Sequence, residues 1–285
     1  MKLLTWNIQW GRGVDGVVDL GRIVRTARAI ADFDVFCAQE VADNFPGLAG
    51  SDARDQFAEL GRLLPDHVRI QGYGVDVMGE AGRRRRFGNV IFSRYPVLSA
   101  RRHALPWPAD PAKKTMPRVA VEATVRAPFG ALRITTTHLE YYSDAQRLAQ
   151  ARRLRNLHDE ACQRATAAAR YENEESNVTF EPTPQTTAAI LCGDFNFPPE
   201  NPARQDIQGA LARGGPAYRD AWAHLNPGMA HPPTFCLHDA AYAKKPYCCD
   251  FAFVSEDLLG RVRRVTVDLE TRDSDHQPVL LELED

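Results

Sequence analysis

The sequence predicts an α/β fold, with two packed β-sheets and helices on their outer faces, as a single catalytic-size domain over residues 1–285. Three observations carry this. Strand-like apolar runs are many, while helical stretches are few but spread along the whole chain. Several of those runs stop at a carboxylate, amide or imidazole. No internal repeat and no linker divides the chain.

The elements follow in order. Lys2 to Trp10 alternates as a strand, with Leu4, Trp6, Ile8 and Trp10 on one side and Thr5, Asn7 and Gln9 on the other. Gly11-Arg12-Gly13 breaks it. Asp19 is placed as the N-cap of a helix through Ile23, Ala27 and Ile30. Asp34 to Glu40 is a buried strand ending at Glu40. Asp55 to Leu64 reads as a helix closed by Pro65. Val68 to Met78 reads as strand with a Gly-centred turn. Arg83 to Arg86 is a charge run, read as a solvated loop rather than a track for a nucleic-acid backbone. Phe87 to Ser93 is a strand, and Val97 to Leu105 is expected to pair beside it. Pro106 to Lys114 is a Pro-rich loop. Arg118 to Arg126 and Ala131 to Leu139 form a hairpin around Pro128-Phe129-Gly130. His138 is in phase with Leu132 and Ile134, on the buried side.

A long helix runs from about Asp144 to Arg170, with Leu148, Ala151, Leu154, Leu157 and Ala161 on one stripe. Residues 172–187 are polar and Pro-containing and read as a mobile surface loop. Ala188 to Asn196 is an apolar run with a polar tip, and Ile190, Cys192, Asp194 and Asn196 share a face if the strand extends that far. A short helix is expected near Ala203 to Ala212, then a loop-rich stretch from Asn226 to Tyr247. Cys249 to Val254 is a strand carrying Asp250. Val262 to Leu269 is another, and Ser274 to Pro278 leads into the last, Val279 to Leu283.

Composition narrows the class. A hydrophobic content of 44% with 25% charged residues is that of an ordinary soluble globular protein. The net charge of -2 argues against a whole-protein field for a polyanion. No apolar run has the length of a transmembrane segment. The N-terminal residues lack a signal-peptide pattern. Six scattered cysteines suggest a reducing, cytoplasmic setting, and the spacing of Cys236, His238, Cys248 and Cys249 fits no zinc pattern. Trp6, Trp10, Phe36 and Phe92 read as core.

The polar tips are Asn7, Glu40, His138, Asp194 with Asn196, Asp250, and Asp275 with His276. Carboxylates and amides with few thiols are hard oxygen donors suited to Mg²⁺ or Mn²⁺. Two histidines supply acid and base near neutral pH. Phosphate-ester hydrolysis needs such parts. The alternatives are structural: a plain turn at Gly193-Asp194, a strand cap at Asp250, a satisfied core histidine at His138.

Thr5-Trp6-Asn7, Gln39-Glu40-Val41, Gly88 to Arg94, Thr137-His138-Leu139, Gly193 to Asn196 and Ser274 to Val279 stand in an order that resembles the motif set of the endonuclease/exonuclease/phosphatase superfamily. The resemblance spans Trp6 to Val279. It implies a four-layer α/β/β/α sandwich of two mixed β-sheets flanked by helices. It also implies divalent-metal-dependent hydrolysis of phosphoester bonds, foremost by a phosphodiesterase. Glu40 would be the main metal ligand, with Asn7 and Asp275 close by. Asp194 would orient the attacking water, and Asn196 would hold that water or a phosphate oxygen. His276 would stand beside the scissile phosphate, oriented by Asp250. His138 matches a second histidine of the deoxyribonuclease, sphingomyelinase and inositol-phosphatase branches, and argues against the abasic-site nucleases, which use a tyrosine there. Asn89 and Arg118 resemble substrate-binding positions, although Arg118 reads equally as a surface salt bridge. The family often has Arg or Lys with an aliphatic residue before the acid, where this chain has Cys248-Cys249. The substrate stays undecided among small-molecule, lipid and nucleic-acid phosphoesters. The near-neutral charge favours the first two, or a short nucleic-acid end. A nuclease or DNA-end-processing phosphodiesterase is the alternative, and a non-catalytic protein of the same fold stands behind it. No protein partner is indicated.

Overall fold

The computed structural model describes residues 1–167 and 182–285. Two six-stranded sheets face each other. The first holds β1 (Lys2–Asn7), β2 (Val35–Asp43), β3 (Val68–Met78), β4 (Arg84–Ser93), β11 (Val262–Val267) and β12 (Val279–Leu283), in the order β11-β12-β1-β2-β4-β3. The second holds β5 (Val97–Ala104), β6 (Val119–Ala127), β7 (Gly130–His138), β8 (Ala189–Asp194), β9 (Tyr218–Asp220) and β10 (Asp250–Ser255), in the order β5-β6-β7-β8-β10-β9. The pairs β1–β2 and β7–β8 are parallel and their neighbours antiparallel, so both sheets are mixed.

Strand alternation builds the layers. Leu3, Cys37 and Ile91 of the first sheet meet Val121, Ile134 and Cys192 of the second in the central core. Their sequence neighbours Leu4, Trp6, Phe36 and Phe92 point outward, against α1 (Leu20–Ile30) and α2 (Gln56–Leu63). On the far side Leu191, Phe251 and Phe253 pack against α3 (Asp144–Thr166) and α4 (Pro202–Ile207). This is the four-layer α/β/β/α sandwich. Burying one such aromatic side chain contributes about 1.5–3 kcal/mol, so the outward-facing rings Trp6, Phe36 and Phe253 anchor the helix layers. The helices start where side chains cap them: Asp19 accepts from the backbone of Arg22, Asp55 from Ala58 and Ser143 from Gln146.

Several expectations change. Val97 to Ala104 pairs with β6 in the second sheet, not with β4, because Arg94-Tyr95-Pro96 carries the chain across. Arg84, Arg85 and Arg86 are not loop: they open β4 opposite Met78, Val77 and Asp76. Arg84 bonds Asp76 at 2.8 Å, and the Arg86 guanidinium lies 5.1 Å from the Tyr73 ring, so carboxylate and aromatic partners hold the run in a ribbon. The Gly-centred turn within Val68 to Met78 is a bulge between Tyr73 and Val75. A Cβ on Gly88 would stand 2.0 Å from the carbonyl of Gly72, so these glycines serve close strand approach. β2 continues past Glu40 through a bulge between Ala38 and Val41. Trp10 sits in a tight 3₁₀ turn, Gln9–Gly11, half-exposed rather than in the core. The helix near Ala203 to Ala212 spans only α4, and β9 and α5 (Ala221–Leu225) were not foreseen. The expected end of the long helix at Arg170 and most of the 172–187 loop lie outside the described residues, and residues 182–187 carry no regular structure.

Candidate active site

The polar tips converge at one edge of the sandwich, where the two sheets splay into a cleft of about 460 Å³. Sheet register does much of the placing. His138 ends β7 directly beside Asp194, the last residue of β8, and Asp194 pairs in turn with Asp250, the first residue of β10. Three functional groups thus stand in one row of one sheet. Gly193 permits it: at φ +132° its absent Cβ would lie 2.0 Å from the Thr137 carbonyl. From the first sheet come Asn7 at the end of β1 and Glu40, which the β2 bulge holds at φ 59°. Asp275 and His276 precede β12, with His276 tied back by its carbonyl to Trp6 Nε1 at 2.9 Å.

Hydrogen bonds knit the tips. Asn7 Nδ2 donates to Glu40 Oε1 at 3.1 Å and to Asp194 Oδ2 at 3.0 Å, joining the two sheets. Asn7 Oδ1 accepts from the backbone of Gln9 at 3.1 Å, so the amide acts as a spacer between carboxylates. His276 Nδ1 donates to Asp250 Oδ2 at 2.9 Å, while its Nε2 lies 3.6 Å from Asp194 Oδ2. His138 Nε2 is 3.4 Å from the same Asp194 oxygen, and its Nδ1 3.9 Å from Glu40. Asn196, at φ 53°, donates its amide to the Leu139 carbonyl at 2.9 Å, which leaves Oδ1 as an acceptor. Asn89 is placed differently. Its amide is bonded to the Val119 carbonyl at 2.9 Å, behind Arg118 and His138 rather than on the cleft lining. Arg118 is no surface ion pair: it is buried, its Nε 3.3 Å from Glu140, and its Nη1 has no partner among the described residues.

The two histidines are driven apart. Burial opposes a charge on His276, but the carboxylates of Asp250, Asp194 and Asp275 outweigh it and raise its pKa well above that of an ordinary imidazole. Burial, aided by the Arg118 charge, lowers His138 to about 3 against the pull of Asp194. At neutral pH one is imidazolium and the other neutral. Burial also raises Glu40 to about 7, with the Asp275 charge adding to it. Asp275 is raised in the same way, by burial and by Asp194.

That crowding is the test of a metal here. Glu40, Asp275 and Asp194 are hard oxygen donors, and with Arg118 paired to Glu140 the His276 imidazolium is the one cationic side chain beside them on the described lining, which leaves Glu40 and Asp275 still raised. The donor set fits Mg²⁺ or Mn²⁺. Asp194, Cys249 and His276 also present ligand atoms within 4.8 Å of one another. Burial pushes the Cys249 thiol well above its ordinary value, which sets that softer group against a hard cation.

Four contributors had no clear signal in the sequence. Thr234 Oγ1 donates to Asp250 Oδ2 at 2.6 Å and accepts from the backbone of Asp250 at 3.0 Å. Gln9 Nε2 holds Asp275 at 2.8 Å. Phe235 lies 4.5 Å from the His276 ring. Glu140 directly follows the Thr137-His138-Leu139 motif, but its pairing with Arg118 was visible only in space.

The sequence matches the profile of the Endonuclease/Exonuclease/phosphatase family over residues 4–276, and the chain belongs to that family, whose members are phosphoester hydrolases. A search of curated proteins finds no match. Among solved structures it is similar to an endonuclease/exonuclease/phosphatase from Beutenbergia cavernae DSM 12333, at 25% identity and TM-score 0.67, over 100% of this chain and 71% of that one. It is also similar to a mannosyl-6-phosphatase from Bacteroides thetaiotaomicron VPI-5482, at 17% identity and TM-score 0.66, over 100% of both chains. The human Nocturnin catalytic domain with bound sulfate anion aligns at 17% identity and TM-score 0.63, over 100% of this chain and 93% of that one. At such identities the last two speak for the fold alone. Among the described residues no helix is long and apolar enough to cross a membrane.

Proposed function

We propose that this chain is a divalent-metal-dependent phosphodiesterase, acting as one catalytic unit over residues 1–285. The observation that carries the reading is the single point where Asn7 joins Glu40 to Asp194 with His276 beside them. Glu40 and Asp275, with Asn7 next to them, would hold Mg²⁺ or Mn²⁺, which supplies positive charge for the reacting phosphoryl group. The protein's own groups divide the remaining work. Asp194 stays ionised, because the His276 charge, the Asn7 amide and the Asn196 backbone N–H overcome its burial. It accepts a hydrogen bond from the attacking water and aligns it. Asn196 Oδ1 holds that water from a second side. His276, kept charged and oriented by Asp250, stabilises negative charge on the phosphoryl oxygens. The unpartnered Nη1 of Arg118 takes another such oxygen. His138, neutral, stands at the leaving-group side. A diester is favoured over a monoester because Arg118 and His276 are the only cationic groups on the described lining, which suits one negative charge better than two. All six cysteines are free and buried, in keeping with a cytoplasmic setting.

The test is hydrolysis of bis-p-nitrophenyl phosphate and p-nitrophenyl phosphate with Mg²⁺, with Mn²⁺ and with EDTA. The diester is cleaved only with metal, and His276→Ala loses about 10²–10⁴-fold in kcat/KM. Faster monoester turnover would make the enzyme a phosphatase. Undiminished activity of the variant would remove His276 from the chemistry.

A further inference from the structure

The cleft floor and its walls are made of different chemistry. Every ionisable acid, imidazole, guanidinium and amide side chain on the lining belongs to the floor described above. The walls rising from it are apolar and mostly aromatic. Trp10 and Phe45 come from loops of the first sheet, and Tyr141, Tyr142, Phe235 and Tyr242 from loops of the second.

Trp10 and Tyr141 are tied to their surroundings before any ligand arrives, and the backbone of Tyr242 is tied to Tyr141. Trp10 Nε1 donates to the Ala49 carbonyl at 2.9 Å, and the Trp10 carbonyl accepts from Gln56 Nε2 at 2.7 Å. Trp10 keeps φ 45°, a left-handed conformation unusual for a bulky residue, which the surrounding bonds must enforce. Tyr141 packs edge-on to Tyr142 at 4.8 Å, and its hydroxyl donates to the Tyr242 carbonyl at 3.4 Å, linking two loops. Tyr142 and Tyr242 line the cleft and are nevertheless 53% and 52% exposed, so about half of each remains open to solvent. Fixed rings lose little entropy on binding, and flat apolar groups are what they bind best.

Charge points the same way. A nucleic-acid strand needs several lysine or arginine contacts to its phosphates. The described lining offers one arginine, Arg118, and sets three carboxylates against it, Glu40, Asp194 and Asp275. The volume of about 460 Å³ is that of a small-molecule site.

We infer that these walls select compact, singly charged phosphodiesters that carry a flat aromatic ring, and that Trp10 and Tyr242 are specificity-determining residues for it. The inference rests on the phosphodiesterase reading of the floor. It excludes extended strands as the preferred substrate class. The ring's source, a simple aryl group or a nucleobase, is separated by the ligands chosen below.

Inhibition of bis-p-nitrophenyl phosphate hydrolysis tests it, using dimethyl, methyl cyclohexyl and methyl phenyl phosphate, the methyl ester of thymidine 5′-phosphate, and a single-stranded oligonucleotide. Methyl phenyl phosphate inhibits about tenfold or more better than dimethyl phosphate, the scale of one ring stacked on aromatic side chains. The cyclohexyl ester falls between them. Tyr242→Ala narrows the phenyl-to-dimethyl ratio toward one, and Tyr242→Phe keeps it. If Tyr242→Ala melts early, Trp10→Leu is the second variant, with the same narrowing expected. Stronger inhibition by the thymidine ester than by the phenyl ester assigns the ring to a nucleobase, and the reverse to an aryl group. Equal inhibition by the dimethyl and phenyl esters overturns the inference while leaving the phosphodiesterase reading intact. Tightest inhibition by the oligonucleotide, lost steeply with salt, also overturns it. If no diester is hydrolysed with either metal, the phosphodiesterase reading fails. Calorimetric titration of methyl phenyl and dimethyl phosphate into the Mg²⁺-supplied protein then decides the ring preference separately.

Discussion

Two buried clusters of similar composition lie on opposite faces of the second sheet. The front cluster, in the cleft, holds Arg118, Glu140, His138 and the carboxylates around His276. The rear cluster, under α3, holds Arg133, Glu122 and His158. Arg133 Nη2 donates to His158 Nδ1 at 2.5 Å, His158 Nε2 donates to the Pro216 carbonyl at 2.8 Å, and the Tyr218 ring stacks on the imidazole at 4.0 Å. Arg133 also stands 3.7 Å from Glu122. Both ring nitrogens of His158 are committed and one tautomer serves both bonds. In front, one Asp194 oxygen is shared by Asn7 and approached by both histidines, Arg118 keeps a buried nitrogen without a partner, and two carboxylates are pushed toward protonation. Desolvation acts on both clusters alike. What separates them is charge: Arg133 Nε also lacks a partner among the described residues, but there one arginine faces one carboxylate, while in front the carboxylates outnumber the cationic side chains and leave charge for a ligand to complete.

Glu40→Gln probes that difference hardest. Turnover falls by about 10²–10³-fold, the scale of losing a group that stabilises developing charge. Stability moves the other way. A folded-state pKa of about 7, above the ordinary 4.5, means the folded protein binds this proton more tightly than the unfolded chain does. Glu40 therefore subtracts stability as pH rises from about 4.5 through 7, and Gln removes the deficit. In EDTA at pH 8 the variant melts above the parent, and an equal or lower melting temperature would show that the front cluster is not strained.

The rear cluster responds to acid instead. Burial, with the Arg133 charge, lowers His158 from 6.5 to about 4. The unfolded chain takes up a proton there first, so the stability linked to His158 is full above about 6.5 and gone below about 4, a difference of at most about 3 kcal/mol. His158→Gln, which can still accept from Arg133, flattens that part of the pH dependence in urea titrations. Parallel curves for parent and variant would deny His158 the role. Its turnover at neutral pH stays near the parent's.

Thr234→Val gives the smallest of the three effects and sharpens the comparison from the front. The hydroxyl that fixes Asp250 is lost, kcat falls about tenfold with little change in KM, and the pH profile of kcat shifts with His276. Thr234→Ser restores both. An unshifted profile would reduce Thr234 to packing.

The layers and tips were legible because strand and helix periods are local: Leu4-Trp6-Ile8 names an outward face, and Gly193-Asp194 a strand end. The family motifs then supplied roles for Glu40, Asp250 and His276. What stayed hidden was long-range. Nothing near Thr234 points to Asp250, 16 residues away in sequence. The arginine run looked like loop because its partners Asp43, Asp76 and Tyr73 come from other strands or a distant register. Val97 to Ala104 carries no mark that it belongs to the second sheet. Arg118 was ambiguous between surface and site until burial decided.

The bond from Trp6 Nε1 to the His276 carbonyl spans 270 residues of chain. A chain emerging from the ribosome can form β7 and β8 early, yet the cleft cannot be completed until residue 276 has been released and docked beside β1. Activity is therefore a late reporter of folding. A chain stopped ahead of Asp275 would lack His276 and, with β12, the strand that joins β1 to β11, and no turnover is expected of it.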